Sequence, residues 1–127
     1  MKTVFNTAHA PAAIGPYNQA TAHGNLLFVS GQIAINPVTG DMVQPDITTE
    51  THQVMTNLSA IISAAGSSLD HVLKCTVFVL DMKHYAAVNA VYASFFEGIE
   101  APARELVAVV GLPKGANVEI SAIVAIV

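Results

Sequence analysis

The two segments that end this chain are apolar at nearly every position, and they limit how the chain can fold more than any other feature. Residues 104–112 (RELVAVVGL) and 117–127 (NVEISAIVAIV) show little of the polar alternation that strands with one face in water require. Only two other segments have helical periodicity, and two helices can cover only one face of a sheet. We therefore expect the second face to be covered by a partner, most simply another copy of the chain.

Two further segments have the composition of β-strands. Residues 25–35 (NLLFVSGQIAI) and 71–80 (HVLKCTVFVL) are rich in branched and aromatic side chains, and the turn-forming sequence 36–40 (NPVTG) follows the first. The two terminal strands are joined by 113–116 (PKGA). Such a short connection suggests a simple hairpin.

Helical periodicity of the apolar residues predicts two amphipathic helices. The first begins at Asp46 or Thr48, either of which is a suitable N-cap, and ends at Gly66. The second spans 83–98 and directs the following side chains inward: Tyr85, Val88, Val91, Tyr92 and Phe95. The order of the elements favours one α+β domain over residues 1–127, with a mixed β-sheet that carries both helices on one face.

Composition and motifs argue against several classes of function. Five lysines and arginines stand against nine acidic residues, and this balance gives too little positive charge to hold a nucleic-acid backbone. No apolar stretch is long enough for a membrane span and no signal-peptide pattern is present, so we expect a cytoplasmic protein. Phosphate-loop, hydrolase and metal-binding motifs are absent, and the single cysteine, Cys75, is expected to be a buried thiol.

Two of the charged residues in the apolar terminal segments are candidates for a functional role. Arg104 is the only arginine in the chain, and a guanidinium beside apolar surface is costly unless an anion satisfies it. Its planar fork matches a carboxylate, although a salt bridge to an acidic side chain or exposure to solvent would also account for it. Glu119 lies within the last strand, where an ordinary exposed position is the simplest explanation. Neither residue alone identifies a function.

Five segments, in this order, carry a resemblance to a known family: 14–20 (IGPYNQA), 26–33 (LLFVSGQI), 88–96 (VNAVYASFF), 101–104 (APAR) and 118–123 (VEISAI). From about residue 5 onward the chain resembles the Rid family of reactive intermediate deaminases, also called the YjgF family. The resemblance implies a chorismate-mutase-like α+β fold, a homotrimer with ligand clefts between subunits, and hydrolysis of 2-imino acids such as 2-iminopropanoate and 2-iminobutanoate to 2-oxo acids and ammonia. It implies no cofactor and no metal.

By position, the resemblance also implies roles for three polar residues. Arg104 corresponds to the family's clamp for the substrate carboxylate, Glu119 to the acid that positions or activates water, and Tyr17 to a hydroxyl in the cleft. Glu105 is larger than the small residue expected beside the clamp. On an extended strand it should point to the opposite face from Arg104.

Four other positions match the family's cleft. Ser30 and Gly31 correspond to a turn that lines it, and Asn89 corresponds to an amide within it. At Leu106 many members have cysteine, so this chain departs from the common pattern. If that position contacts the ligand through its backbone, leucine keeps the contact but changes the shape of the pocket.

In a simple terminal hairpin, Arg104 and Glu119 would not meet within one chain. Arg104 would face about residue 124, whereas Glu119 would face about residue 109, roughly 16 Å along the strand from Arg104 and on the other face of the sheet. We therefore expect a productive site to take these two residues from different subunits.

Three other functions are compatible with this sequence. A non-enzymatic module could use the same cleft to bind 2-oxo acids or other small metabolites, although binding alone gives no reason for an acid near an anionic ligand. RNA cleavage is a second alternative, which the acidic balance disfavours. A chaperone-like role for the apolar surface is the third, but burial between subunits explains that surface more simply.

Overall fold

The structure is a computed structural model that describes residues 1–126. Six strands and two α-helices follow one another along the chain, and short 3-10 turns precede β4, α2 and β6. In chain order these elements are β1 (Thr3–Phe5), β2 (Ala20–His23), β3 (Leu26–Gln32), α1 (Ile47–Ala64), β4 (Val72–Val79), α2 (Tyr85–Phe95), β5 (Ala103–Ala108) and β6 (Val118–Ala125). The predicted α+β class, with a mixed sheet and two helices, is confirmed.

The strands form one sheet in the order β1-β2-β3-β6-β4-β5. Neighbouring strands are antiparallel except β4 and β5, which are parallel because α2 carries the chain back to the same end of the sheet. The expected hairpin between the last two strands is therefore wrong. β6 does not pair with β5 but enters between β3 and β4, antiparallel to both.

Both helices pack against one face of this sheet. Alternate residues of β6 are buried, namely Val118, Ile120, Ala122 and Val124, and they form one core with the apolar faces of α1 and α2. Asp46 caps α1 as predicted, because its side chain accepts a hydrogen bond from the Thr49 N–H at 2.7 Å. No helix within residues 1–126 combines the length and apolar character that crossing a bilayer requires.

The inward face of α2 differs in part from the prediction. Val88, Val91 and Tyr92 are buried as expected. Tyr85, however, is 42% exposed, because it lies at the start of the helix near the edge strand β5 rather than over the sheet. At the other end of α2, Phe96 is buried to 4% exposure, whereas Phe95 is only partly buried.

The second face of the sheet is open in the single chain. Phe28 and Val107 are each 46% exposed on this face, which also carries an ion pair between Lys74 Nζ and Glu105 Oε1 at 2.8 Å. Burial alternates along β6: Glu119 and Ser121 lie on this face together with the apolar Ile123 and Ala125, so the low polar alternation expected from the sequence holds for the second half of the strand. The open face is thus a mixed apolar and polar surface.

A buried carboxylate fixes the entry to β6. Glu50, in the first turn of α1, is 1% exposed and accepts hydrogen bonds at 2.8 Å from both the backbone N–H and the side-chain amide of Asn117. Gln44 donates to Gly115 O at 3.0 Å and lies near the same carboxylate. Because Asn117 stands two residues before Glu119, these contacts fix the backbone from which Glu119 projects.

Candidate functional site

A β-bulge at Ser30 and Gly31 brings Gly31 close to Glu119. The register between β3 and β6 shifts between Val29 and Gln32, so two residues of β3 lie opposite one residue of β6. Ser30 is held in this bulge by its hydroxyl, which donates to the Asn18 carbonyl at 2.7 Å. A Cβ atom at Gly31 would lie 2.8 Å from Glu119 Cδ, so the absence of a side chain at Gly31 lets the carboxylate approach the bulge.

The carboxylate of Glu119 is half-buried on the open face of the sheet. Within the chain as described, from residue 1 to residue 126, it makes neither an ion pair nor a side-chain hydrogen bond. Burial without such partners disfavours the charged form and raises the pKa of Glu119 above the ordinary value of 4.5. A carboxyl group of this kind is suited to accept and return a proton.

Tyr17 and Gly31 line a cleft together with Glu119, and we call it the Glu119 cleft. Tyr17 is 47% exposed, and its hydroxyl oxygen accepts a hydrogen bond from the Ile14 N–H at 3.3 Å, which leaves its own proton free to donate. One wall of the cleft is the loop around Pro11. Gln19, which is 2% exposed, holds this loop by donating to the Pro11 carbonyl at 2.7 Å.

Arg104 lies on the helix-covered side of the sheet, in a second cleft that we call the Arg104 cleft. Its Nη1 donates to Asn89 Oδ1 at 2.8 Å, and its Cζ lies 4.9 Å from the centre of the Tyr92 ring. Among the described residues Arg104 has no carboxylate within ion-pair distance, so the salt bridge considered from the sequence is not found. Glu105, as predicted, points to the opposite face, where it contacts Lys74.

Leu106 follows Arg104 on β5, the edge strand of the sheet. The Val109 N–H donates to the Val79 carbonyl of β4 at 2.8 Å, and backbone groups alternate in direction along a strand. The N–H and C=O of Leu106 therefore face the free edge, where a ligand could reach them. The side chain of Leu106 is half-buried against the core, near the buried Cys75, whose burial confirms the prediction for that thiol.

The structure thus divides the predicted site residues into two groups that do not meet. Arg104 pairs with Cys75 of β4, and Glu119 pairs with Phe78 of the same strand, three residues further along. The backbones of Arg104 and Glu119 lie two strands apart across the sheet and three residues apart along it, a distance of about 14 Å. Because three is an odd number of residues, their side chains point to opposite faces of the sheet. The register argued from a hairpin was wrong, but the inference that one chain cannot join these residues agrees with the observed sheet.

Sequence reasoning missed several features that shape the two clefts. Ser30 and Gly31 are predicted to line the cleft, but the bulge that they form has no pattern of its own, and Gln19 lies in a short polar segment without periodicity. The helical spacing of Tyr85 and Tyr92 predicts only that both lie in the core. Their contacts with Arg104 could not be inferred, because they depend on the parallel pairing of β4 with β5.

Comparisons with known proteins cover nearly the whole chain. Residues 7–126 match the family model described as Endoribonuclease L-PSP. A RutC family protein of Pyrococcus horikoshii is 50% identical, with 97% of each chain covered, and the 2-iminobutanoate/2-iminopropanoate deaminase of Escherichia coli K12 is 45% identical over the same shares. The crystal structure of the YjgF gene product from E. coli is 42% identical and superposes with a TM-score of 0.93, covering 97% of this chain and 98% of that one.

Substituting Gly31→Ala should displace the Glu119 carboxylate while the fold is retained. The added methyl group would lie 2.9 Å from Oε1, and the flexible end of Glu119 can move away into solvent. We expect the raised pKa of Glu119 to move back toward its ordinary value, as measured by carboxyl ¹³C NMR titration and assigned with Glu119→Gln. Gly111→Ala is the matched control, because its methyl group meets no atom within 4 Å. An unchanged Glu119 pKa in Gly31→Ala would contradict the role given to this glycine.

Proposed function

The chain belongs to the Rid (endoribonuclease L-PSP) family, and from this premise we propose that it hydrolyses 2-imino acids to 2-oxo acids and ammonia. The observation that carries the proposal is the guanidinium of Arg104, which is held by a neutral amide and an aromatic ring and has no carboxylate partner among residues 1–126. The planar guanidinium can bind the carboxylate of a 2-imino acid in bidentate fashion. The similarity to the E. coli deaminase supports this substrate class.

In the proposed reaction the imine carbon is the electrophile and water is the nucleophile. Arg104 holds the substrate carboxylate, and the hydroxyl of Tyr17 donates a hydrogen bond to the reacting end. Glu119 removes a proton from water as the water oxygen bonds to the imine carbon, and passes that proton to the imine nitrogen, which gives a carbinolamine. Glu119 then takes the proton of the new hydroxyl group and delivers it to the amino nitrogen. The C=O bond forms as the C–N bond breaks, ammonia leaves, and the 2-oxo acid remains.

We propose that this site forms between subunits of a homotrimer. One subunit would supply the Arg104 cleft with Asn89 and the backbone of Leu106, and a neighbour would supply the Glu119 cleft with Tyr17. Two observations support this arrangement: the two clefts lie on opposite faces of one sheet, and each presents a charged group without a counter-charge within residues 1–126. The exposed apolar side chains of the open face give the subunits a surface to bury.

Glu119 favours catalysis over simple binding. A module that only recognised a carboxylate would be weakened by a second carboxylate near the anion. An acid whose pKa is raised by burial instead meets the need of a group that must take up a proton and give it back.

Arg104→Ala should abolish most of the imine hydrolysis. Losing a bidentate charged contact costs about 3 kcal/mol, or about 100-fold in kcat/KM. The assay would generate 2-iminopropanoate and 2-iminobutanoate in situ from amino acids and follow 2-oxo acid release. Arg104→Lys tests whether a positive charge without the planar guanidinium is sufficient. Lys83→Ala, which removes a cation on the exposed surface, is the control. If folded wild-type protein bound pyruvate but released 2-oxo acid from imines no faster than the reaction without protein, it would be a binding module.

The pH dependence of kcat/KM should report Glu119. Only the ionised carboxylate can take a proton from water, so activity should fall as the pH drops through the pKa of Glu119, which burial raises above 4.5. Glu119→Gln should lower the rate and remove this acidic limb. Glu105→Gln should keep the limb, because the hydrogen bond from Lys74 lowers the pKa of Glu105. An acidic limb that persists in Glu119→Gln would assign the proton transfer to another group.

Mixed oligomers should show that the site is shared. Neither Arg104→Ala nor Glu119→Ala chains alone should hydrolyse imines, whereas exchanged oligomers of the two should regain part of the activity, since some clefts then receive both native residues. Native mass spectrometry would verify the exchange and count the subunits. If exchange is complete and no activity returns, Arg104 and Glu119 do not act in one inter-subunit site.

A further inference from the structure

One face of α2 surrounds the guanidinium of Arg104. Tyr85, Asn89 and Tyr92 are spaced four and three residues apart, so they lie on the same side of the helix. Asn89 Oδ1 accepts from Nη1 at 2.8 Å, the Tyr85 hydroxyl lies 3.5 Å from Nη2, and the Tyr92 ring centre lies 4.9 Å from Cζ. The guanidinium is therefore contacted both at its edge and over an aromatic ring.

Of these three residues, Tyr92 is the most firmly fixed. It is 6% exposed and belongs to the main core, and its ring packs against that of Phe96 with centres 4.9 Å apart. Tyr85, in contrast, is 42% exposed, and its ring centre lies 6.0 Å from Arg104 Cζ, at the limit for a cation–π contact. Tyr92 thus provides the rigid surface against which the charged group rests.

The ring of Tyr92, rather than its hydroxyl, makes the contact with the guanidinium of Arg104. The hydroxyl is buried next to the thiol of Cys75, a weak acceptor, and finds no hydrogen-bond partner of ordinary geometry among the described residues. Burial raises the pKa of Tyr92, so the ring remains neutral. Phenylalanine could therefore replace this tyrosine without losing the contact with Arg104.

We infer that Tyr92 is a positioning residue for the carboxylate clamp: its buried ring, together with Asn89, holds the Arg104 guanidinium in one orientation before any ligand binds. The effect of Tyr92 on substrate binding rests on the proposed function, but the ordering of the guanidinium can be measured without any ligand. A free arginine side chain has many rotamers, and an ordered one loses less freedom when it binds. Tyr92 therefore contributes to affinity for the carboxylate without touching it.

The test compares wild type, Tyr92→Phe and Tyr92→Leu as intact oligomers. Since Arg104 is the only arginine in the chain, its guanidinium NMR signals need no further assignment, and the rate of rotation about the Cζ–Nε bond can be measured from the exchange between its two Nη groups. The second readout is the Kd for pyruvate, which retains the carboxylate of the substrate. The third is the separation of kcat from KM in imine hydrolysis.

Tyr92→Phe should match wild type within about twofold in all three readouts, because the cation–π contact persists. Tyr92→Leu should speed the rotation, weaken pyruvate binding about tenfold, and raise KM more than it lowers kcat. A purely structural role would lower the melting temperature and leave rotation and Kd unchanged. That result, in folded Tyr92→Leu, would overturn the inference.

Tyr92→Met, which better conserves the core volume, takes the place of Tyr92→Leu if the latter fails to fold, with the same expected and contrary results. The NMR readout also separates this inference from the proposed function. If wild type bound no pyruvate and hydrolysed no imine, the proposed function would fail, but slow rotation that is lost in Tyr92→Leu would still support the positioning role. Fast rotation in wild type would overturn it whatever the activity.

Discussion

The pairing of β6 with both β3 and β4 is the constraint on which the two clefts depend. Because β6 lies between them, its buried residues complete the core under the helices, and its other residues face the open side. That alternation places Glu119 on the open face, whereas the parallel pairing of β5 with β4 places Arg104 toward α2. A shift of one residue in either register would move the affected side chain to the other face.

The two clefts use different means to hold a charged group. Around Glu119 the backbone makes room: a bulge and a glycine let the carboxylate lie close to β3, and burial raises its pKa. Around Arg104 the side chains provide the contacts, since an amide oxygen and an aromatic ring contact the guanidinium. The first arrangement suits a group whose protonation state must change, and the second suits a group whose charge must remain constant.

Periodicity in the sequence was sufficient for the helices and the long strands, because burial of one face leaves a repeating pattern. It located α1 from its cap at Asp46 to its end before Gly66. The short strands β1 and β2 were not located, since three or four residues are too few to show alternation. Strand pairing could not be predicted either, because no local sequence pattern distinguishes a terminal hairpin from a last strand that enters between β3 and β4. The residues of the two clefts came from the resemblance, whereas the contacts that hold them required the three-dimensional arrangement.

The separation of the two charged groups has a physical advantage of its own. If Arg104 and Glu119 lay within reach in one chain, they would attract each other, and a substrate carboxylate would have to displace that ion pair before binding. Placing them on opposite faces prevents such a pair from forming within one chain, so the two groups come near each other only in the proposed site between subunits. The neutral partners of Arg104 then matter, because Asn89 and Tyr92 can orient the guanidinium without cancelling its charge. An arginine held in this way keeps its attraction for an incoming carboxylate, which an arginine already paired with a carboxylate of its own chain would largely have lost.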